Sequence, residues 1–158
     1  MNSKTRKTSV RASQETILLV DDDPSLREMV GRVLAEEGYL VLCAANGAEA
    51  LDIATGNRID LVLLDLSMPG KGGWDTFAEL TSRNPFVAVI IITARPNQFF
   101  TSLAAGVGAL LEKPLDFPTL LRTVRALLTE SAEARLARLV GHDSAFHYQP
   151  STGKERRG

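Results

Sequence analysis

The chain has 158 residues, of which 44% are hydrophobic, with one cysteine and a formal net charge of −1. This length suits one domain with tails, and the hydrophobic fraction is ordinary for a packed core. A single cysteine excludes an intrachain disulfide, and no apolar run reaches the roughly 18 residues that a membrane span needs, so we expect no membrane partner.

The charges are unevenly distributed along the chain. Residues 17–130 carry nine Lys/Arg and fifteen Asp/Glu, whereas residues 1–16 and 131–158 are mildly basic. Phosphate contacts need clustered Lys and Arg, so the acidic body argues against binding of nucleic acid by the core. The first residues lack the apolar stretch of a secretory signal, and together with the single cysteine this favours a cytoplasmic location.

The first predicted elements are an arm, a strand and a helix. Residues 1–15 are polar without periodicity and predict a disordered basic arm. Residues 17–20 form a short apolar run that is typical of a buried strand. Asp23 and Pro24 follow in the pattern of a helix N-cap and first helical residue, and apolar residues recur at helical spacing until Gly38.

Four further apolar runs alternate with helical patterns, at residues 39–43, 59–64, 87–92 and 109–111. Continuous apolar strands that alternate with helices predict a parallel sheet covered on both faces. We therefore expect an α/β protein with a five-stranded, doubly wound, flavodoxin-like sheet in the order 2-1-3-4-5. The pattern fades after residue 130, so the predicted domain covers residues 16–130, and a helix extension and disordered tail cover residues 131–158.

Polar side chains follow the predicted strands where each strand ends. Asp21 and Asp22 follow the first strand, Asp65 the third, Thr93 the fourth and Lys113 the fifth. The carboxyl ends of these strands meet at one edge of such a sheet, so we expect the side chains to converge. Carboxylates with a hydroxyl and an ammonium suit a hard divalent cation such as Mg²⁺ and a phosphoryl group, and aspartate is able to form an aspartyl-phosphate.

Four segments carry a resemblance to a known family: LLVDDDPSLREMV, DLVLLDLSMPGKGGW, VIIITA and LLEKPL. In order and spacing they resemble the receiver domain of bacterial two-component response regulators, of the single-domain, chemotaxis type. The resemblance implies that Asp65 accepts a phosphoryl group from a histidine kinase or a histidine phosphotransfer protein. It also implies that Thr93 and Lys113 contact that group and that the Lys113–Pro114 bond is cis. The implied magnesium ligands are the carboxylates of Asp21, Asp22 and Asp65 and the backbone carbonyl of Ser67.

One position departs from the family pattern. Receivers usually carry Tyr or Phe three residues before the lysine, and this chain has Leu110 there. The substitution leaves open the form in which a signal is read on the face formed by residues 97–122.

Three functions are compatible with these residues. The leading interpretation is a stand-alone phosphoacceptor switch, not a turnover enzyme, that binds an unknown downstream protein according to its phosphorylation; a homodimer is left open. A phosphate-independent, receiver-like adaptor is an alternative that Leu110 keeps open. An aspartyl-phosphate phosphohydrolase is a weaker alternative, because that chemistry usually needs a second acid two residues after the nucleophile, where this chain has Ser67.

Overall fold

The computed structural model describes residues 14–68, 70, 72–95, 97–141 and 146–151, and for Phe100 and Ala104 it describes the backbone alone. Most of the predicted arm, residues 1–13, therefore lies outside the described residues. The strands are β1 Thr16–Val20, β2 Leu40–Ala44, β3 Leu61–Asp65, β4 Ala88–Thr93, β5 Ala109–Glu112 and β6 His147–Gln149. The helices are α1 Pro24–Glu36, α2 Gly47–Gly56, α3 Gly73–Arg83, α4 Phe99–Ala104, α5 Phe117–Thr129 and α6 Ala132–Leu139.

The strands form one parallel sheet in the order β2-β1-β3-β4-β5-β6. The predicted flavodoxin-like α/β class and the order 2-1-3-4-5 are confirmed, and β6 extends the sheet by one strand beside β5. Because β1 and β3 are neighbours, the residues that follow them are brought to one edge of the sheet.

The helices cover both faces of the sheet, so there are two hydrophobic cores. Alternate residues of a strand point to opposite faces, and in β3 this sends Val62 and Leu64 to one core and Leu61 and Leu63 to the other. The first core contains side chains from α2, α3 and α4, and the second contains side chains from α1 and α5. Burial on both faces explains why the central strands are continuous apolar runs instead of alternating ones.

Side-chain caps begin several helices, and one of them is at Asp23, where the sequence predicts it. The carboxylate of Asp23 accepts hydrogen bonds from the backbone N–H groups of Ser25 and Leu26, and Pro24 occupies the first helical position. Asp116 caps α5 in the same way through the N–H of Thr119. Such caps satisfy N–H groups that have no partner inside the helix. None of the described helices is both long enough and apolar enough to cross a membrane.

Among the described residues after 130, which are 131–141 and 146–151, the structure differs from the predicted helix extension and disordered tail, and the rest of the predicted tail lies outside the described residues. Helix α5 ends at Thr129 because Glu130 is extended, with ψ of 150°, and Ser131 then caps a separate helix, α6. Further on, residues 147–149 form β6 and pair in parallel with β5. A strand of three residues is too short for a sequence pattern to reveal; the open edge of β5 supplies the hydrogen bonds that order it.

A buried ionic cluster holds α6 near the amino ends of the strands. The carboxylate of Glu130 is bound by Arg138 at 2.6 and 2.7 Å and by Arg135 at 3.1 Å. Arg135 also donates to the carbonyl oxygens of Phe86 and Leu127, next to the amino end of β4 and within α5. Helix α6 thus carries the chain across the amino ends of the strands, which lets β6 run parallel to β5.

Candidate functional site

The predicted site residues converge at the carboxyl edge of the sheet. Asp21 directly follows β1, Asp65 ends β3, Thr93 ends β4 and Lys113 directly follows β5. Thr93 is paired with Glu112 across β4 and β5, and the N–H of Lys113 donates to the carbonyl of Thr93 at 2.8 Å. The parallel registers therefore align the strand ends, so residues far apart in sequence meet in one shallow site.

Three carboxylates of this site lie close together. One oxygen from each of Asp21, Asp22 and Asp65 lies within 4.8 Å of the others. Asp21 is 0% and Asp65 is 1% exposed, whereas Asp22 is exposed to solvent. Neighbouring buried carboxylates repel one another and lose hydration, so this cluster favours a bound cation.

Lys113 supplies a positive charge to the cluster. Its Nζ donates to Oδ2 of Asp21 at 2.9 Å and lies 3.5 Å from Oδ2 of Asp65. Burial acts to lower the pKa of Lys113, but the hydrogen bond to Asp21 and the charge of Asp65 outweigh it, so the pKa is raised and the ammonium stays charged. One ammonium faces three carboxylates, which leaves net negative charge when all are ionised.

The carboxyl group of Asp65 has a raised pKa. Burial is the largest cause, and the charges of Asp21 and Asp22 add to it. The backbone N–H of Ser67, which donates to Oδ1 of Asp65 at 3.0 Å, and the ammonium of Lys113 act in the opposite direction. A carboxylate held in this way is more basic than one in water, which favours its use as a nucleophile or a metal ligand.

Thr93 and Ser67 each make a hydrogen bond at the edge of the site. Thr93 is fully buried, and its Oγ1 accepts a hydrogen bond from the backbone N–H of Arg95 at 2.9 Å, which orients the hydroxyl at the edge of the site. At Ser67 the structure gives a role to the N–H, through Asp65, and the ligand role of its carbonyl stays a prediction. The Lys113–Pro114 bond is cis, as the resemblance implies.

Asp23, the third aspartate of the run, has a different role from its two neighbours. Its side chain caps α1, and its backbone N–H donates to Oδ1 of Asp21 at 2.9 Å. Asp21 is therefore held at both oxygens, by Asp23 and by Lys113. The predicted division of the run into a pair at the site and a helix cap agrees with this geometry.

Two residues that position the site were missed in the sequence. A Cβ on Gly73 would lie 2.5 Å from the Cα of Leu66 and 2.9 Å from the carbonyl oxygen of Asp65, so α3 begins directly against the backbone that carries Asp65. The only hint of this close approach in the sequence is the Gly72–Gly73 pair, since glycine allows backbones to come close together. Arg27 donates to the carbonyl oxygen of Asp21 at 2.6 Å, and nothing in the sequence pattern marks it.

The fold and the acidic site define a class of protein: a flavodoxin-like α/β domain with a cluster of carboxylates that could hold a metal ion at the carboxyl ends of its central strands. Residues 17–125 match the family described as the response regulator receiver domain. The chain belongs to this family, as the resemblance in its motifs indicated.

Curated relatives agree with this assignment. The chain is 38% identical over 120 residues to the transcriptional regulatory protein GlrR of Escherichia coli, which covers 75% of this chain and 27% of that protein. It is 38% identical over 118 residues to the response regulator MprA of a Mycobacterium species, which covers 73% and 51%. The chain thus spans about half or less of the length of these relatives.

Solved structures of similar fold include a chemotaxis protein and a response regulator. The chemotaxis protein CheY4 of Vibrio cholerae matches with a TM-score of 0.68 and 32% identity over 73% of this chain and 99% of that one. The response regulator TrrA of Thermotoga maritima, solved in complex with Mg²⁺ and a beryllium fluoride group, matches with a TM-score of 0.67 and 32% identity over 72% and 99%.

Proposed function

We propose that this receiver domain is a phosphoacceptor switch in which Asp65 takes a phosphoryl group from a phosphorylated histidine of a kinase or phosphotransfer protein. The observation that carries the proposal is the contact between Lys113 and Asp65, a buried carboxylate with a raised pKa that belongs to a cluster of three carboxylates. A purely structural role would not require so much uncompensated negative charge at the end of a buried strand.

The transfer step uses a side-chain oxygen of Asp65 as the nucleophile. This oxygen attacks the phosphorus of the phosphohistidine, a P–O bond forms in line as the P–N bond breaks, and the electron pair of that bond returns to the imidazole ring, which takes a proton from water. Lys113, 3.5 Å from Asp65, would pair with the phosphoryl oxygens, and the buried Thr93 would donate its hydroxyl to one of them. The protein contributes positioning and charge stabilisation, as phosphoryl transfer requires.

The carboxylate cluster fits Mg²⁺, which prefers oxygen ligands and commonly takes one or two carboxylates together with phosphate oxygens. Asp21, Asp22 and Asp65 would hold the ion, with the carbonyl of Ser67 as a further ligand. When bound, Mg²⁺ supplies positive charge that offsets the repulsion among the aspartates and the incoming phosphoryl oxygens. The magnesium and beryllium fluoride complex of the TrrA protein supports this choice of ion.

The signal would leave the domain by phosphorylation-dependent binding to another protein in the cytoplasm, and the domain would act as a switch and not as a turnover enzyme. The stand-alone status and the homodimer considered from the sequence stay predictions. The phosphohydrolase alternative is disfavoured, because the residue two positions after Asp65 is Ser67, whose N–H binds Asp65 and which offers no acid for a leaving group.

Two measurements test the proposal. Incubation with acetyl phosphate and Mg²⁺ should add one phosphoryl group to the intact mass, and Asp65→Asn should not gain it. In a titration with Mg²⁺ that follows the fluorescence of Trp74, Asp22→Ala should lose binding, while Asp52→Ala, which lies in α2 away from the site, should retain it. An unchanged mass for the wild-type chain would favour the phosphate-independent adaptor.

A further inference from the structure

The segment of residues 146–151, which we call the strap, lies along the outer edge of β5. Its strand β6 pairs in parallel with β5, with Tyr148 opposite Leu110, and the N–H of His147 donates to the carbonyl of Gly108 at 3.1 Å. The strap follows α6, which the ionic cluster of Glu130 holds at the other end of the sheet. The backbone of β5 is therefore occupied by the chain's own C-terminal segment.

The strap supplies aromatic rings at the level where β5 has none. Phe146 and Tyr148 both pack edge-on against Phe99 of α4, with ring centroids 5.4 and 4.9 Å away. Leu110, the residue of β5 opposite Tyr148, is fully buried and belongs to the same core as Phe99. The space beside Phe99 and Leu110 is thus filled by side chains of a strand at the edge of the sheet.

Polar contacts join the strap to Glu112, the residue that precedes Lys113. Tyr148 donates its hydroxyl to Oε1 of Glu112 at 2.5 Å, and the N–H of Ser151 donates to Oε2 at 3.3 Å. Glu112 directly precedes Lys113, and it is paired with Thr93 across the sheet. Both oxygens of one carboxylate are therefore held by the strap, one residue away from the lysine that contacts Asp65.

These contacts imply that the strap and a change at Asp65 oppose each other. A phosphoryl group on Asp65 would add about two negative charges beside Lys113 and Thr93, at the ends of β5 and β4. A shift of these strand ends towards the group would carry Glu112 with it, at the expense of the hydrogen bonds from Tyr148 and Ser151. A strand of three residues at a sheet edge is marginally stable, so a modest shift is enough to release it.

We propose that the strap is an autoinhibitory element: it holds the unphosphorylated arrangement of β5, and phosphorylation of Asp65 releases it and exposes Phe99 and the edge of β5 to a partner. The inference rests on the proposed function of Asp65. Coupling between two sites is reciprocal, so weakening the strap must also favour the phosphorylated state.

The two tyrosines of the chain, Tyr39 and Tyr148, allow a direct test. The full chain is labelled with 3-fluorotyrosine, and the two ¹⁹F signals are assigned with Tyr39→Phe. Acetyl phosphate and Mg²⁺ are then added while the phosphorylated fraction is followed by intact mass. The signal of Tyr148 should move to that of a tyrosine without an aromatic neighbour in proportion to that fraction, because release separates its ring from Phe99, and the signal of Tyr39 should stay.

A reciprocal measurement uses Tyr148→Phe, which keeps the ring and removes the hydroxyl that binds Glu112. The affinity for beryllium fluoride with Mg²⁺, a phosphoryl mimic that binds at equilibrium, should rise by roughly fivefold or more, while Tyr39→Phe should match the wild type. A strap with a merely structural role would lower the melting temperature in Tyr148→Phe without changing that affinity. A Tyr148 signal that stays in place in fully phosphorylated protein would overturn the inference and leave the proposed function intact, whereas absence of phosphorylation in the wild type would overturn both.

Discussion

The ammonium of Lys113 donates to Asp21 at 2.9 Å and lies 3.5 Å from Asp65, so one cation joins the ends of three strands. This contact links residues 92 positions apart. It also gives Lys113 two roles, since the lysine offsets part of the negative charge of the carboxylates and, in the proposed function, pairs with the phosphoryl group.

Replacement of Lys113 by Met should separate these two roles. Phosphorylation by acetyl phosphate should slow by roughly 100-fold, the usual loss when one donor to a developing charge is removed. Affinity for Mg²⁺ should stay the same or rise, because the carboxylates lose a competing cation. Intact mass over time and a Mg²⁺ titration measure the two effects. Arg58→Gln is the matched control, since Arg58 is 87% exposed at the other end of the sheet; a loss of Mg²⁺ affinity in Lys113→Met would contradict the expectation.

The raised pKa of Asp65 predicts a stability that depends on pH when Mg²⁺ is removed with a chelator. A carboxyl group whose pKa is raised on folding, here chiefly by burial, stabilises the fold below its unfolded pKa and loses that contribution as the pH rises through the folded pKa. Asp65→Asn should therefore have a higher melting temperature than wild type at pH 7. The difference should shrink as the pH falls towards 3.8, the ordinary value for this group. Thermal denaturation across this range measures it, and a constant difference would show that ionisation of Asp65 is not the cause.

Gly73→Ala should damage the site through the backbone. The added methyl group would overlap the Cα of Leu66 and the carbonyl oxygen of Asp65, and such overpacking typically costs about 1–3 kcal/mol of unfolding free energy. The displaced Asp65 should also accept phosphate more slowly. Urea denaturation and the rate of mass gain measure these effects.

Gly72→Ala serves as the control for this substitution. Its Cβ would meet only Oδ2 of Asp75, at 3.7 Å, and the backbone φ of −62° suits alanine. We expect a loss below about 1 kcal/mol, from the poorer helix cap alone. Equal effects of the two substitutions would mean that the contact with Asp65 is unimportant.

Glu130→Gln should destabilise the protein by about 3 kcal/mol, because it leaves buried arginine without its counter-ion. The side chains of Glu130 and Arg138 are only 8% and 6% exposed. Glu133→Gln, on an exposed position of α6, should change the stability by less than about 0.5 kcal/mol. Urea denaturation compares them, and a neutral Glu130→Gln would indicate that α6 does not contribute to the stability of the sheet.

The same ionic cluster should lose its contribution to the stability of the fold in acid. Burial alone would raise the pKa of Glu130, but hydrogen bonds from Arg138 and Arg135 outweigh it, so the pKa is held below its ordinary value of 4.5. A lowered pKa gives stability that is present above the unfolded value and lost as the pH falls through the folded value. The difference between wild type and Glu130→Gln should therefore disappear as the pH falls below 4.5; persistence of the full difference in stronger acid would assign it to packing.

Much of this protein was predictable because its signals are local. The apolar runs of β1, β3 and β4, the cap at Asp23 and the polar residues at the strand ends are each visible in a few consecutive residues. Parallel strands with helical connections then leave few topologies, and this places Asp21, Asp65 and Lys113 together. The contacts of Gly73 with Leu66 and of Arg27 with Asp21 carry no such signal, because they depend on which backbones pack against each other.

The sequence by itself determined the α/β class, the strand order 2-1-3-4-5 and the residues that gather at the site. Periodicity and the polar residues at strand ends are properties of neighbours along the chain, so they can be seen without the structure. Only the tertiary structure decided the conformation of the described residues 131–141 and 146–151. The break at Glu130, the burial of its carboxylate between two arginines and the pairing of Tyr148 opposite Leu110 all arise from contacts with distant segments. Three residues form a strand there because the edge of β5 and the ring of Phe99 are close by, and not because of any pattern of their own.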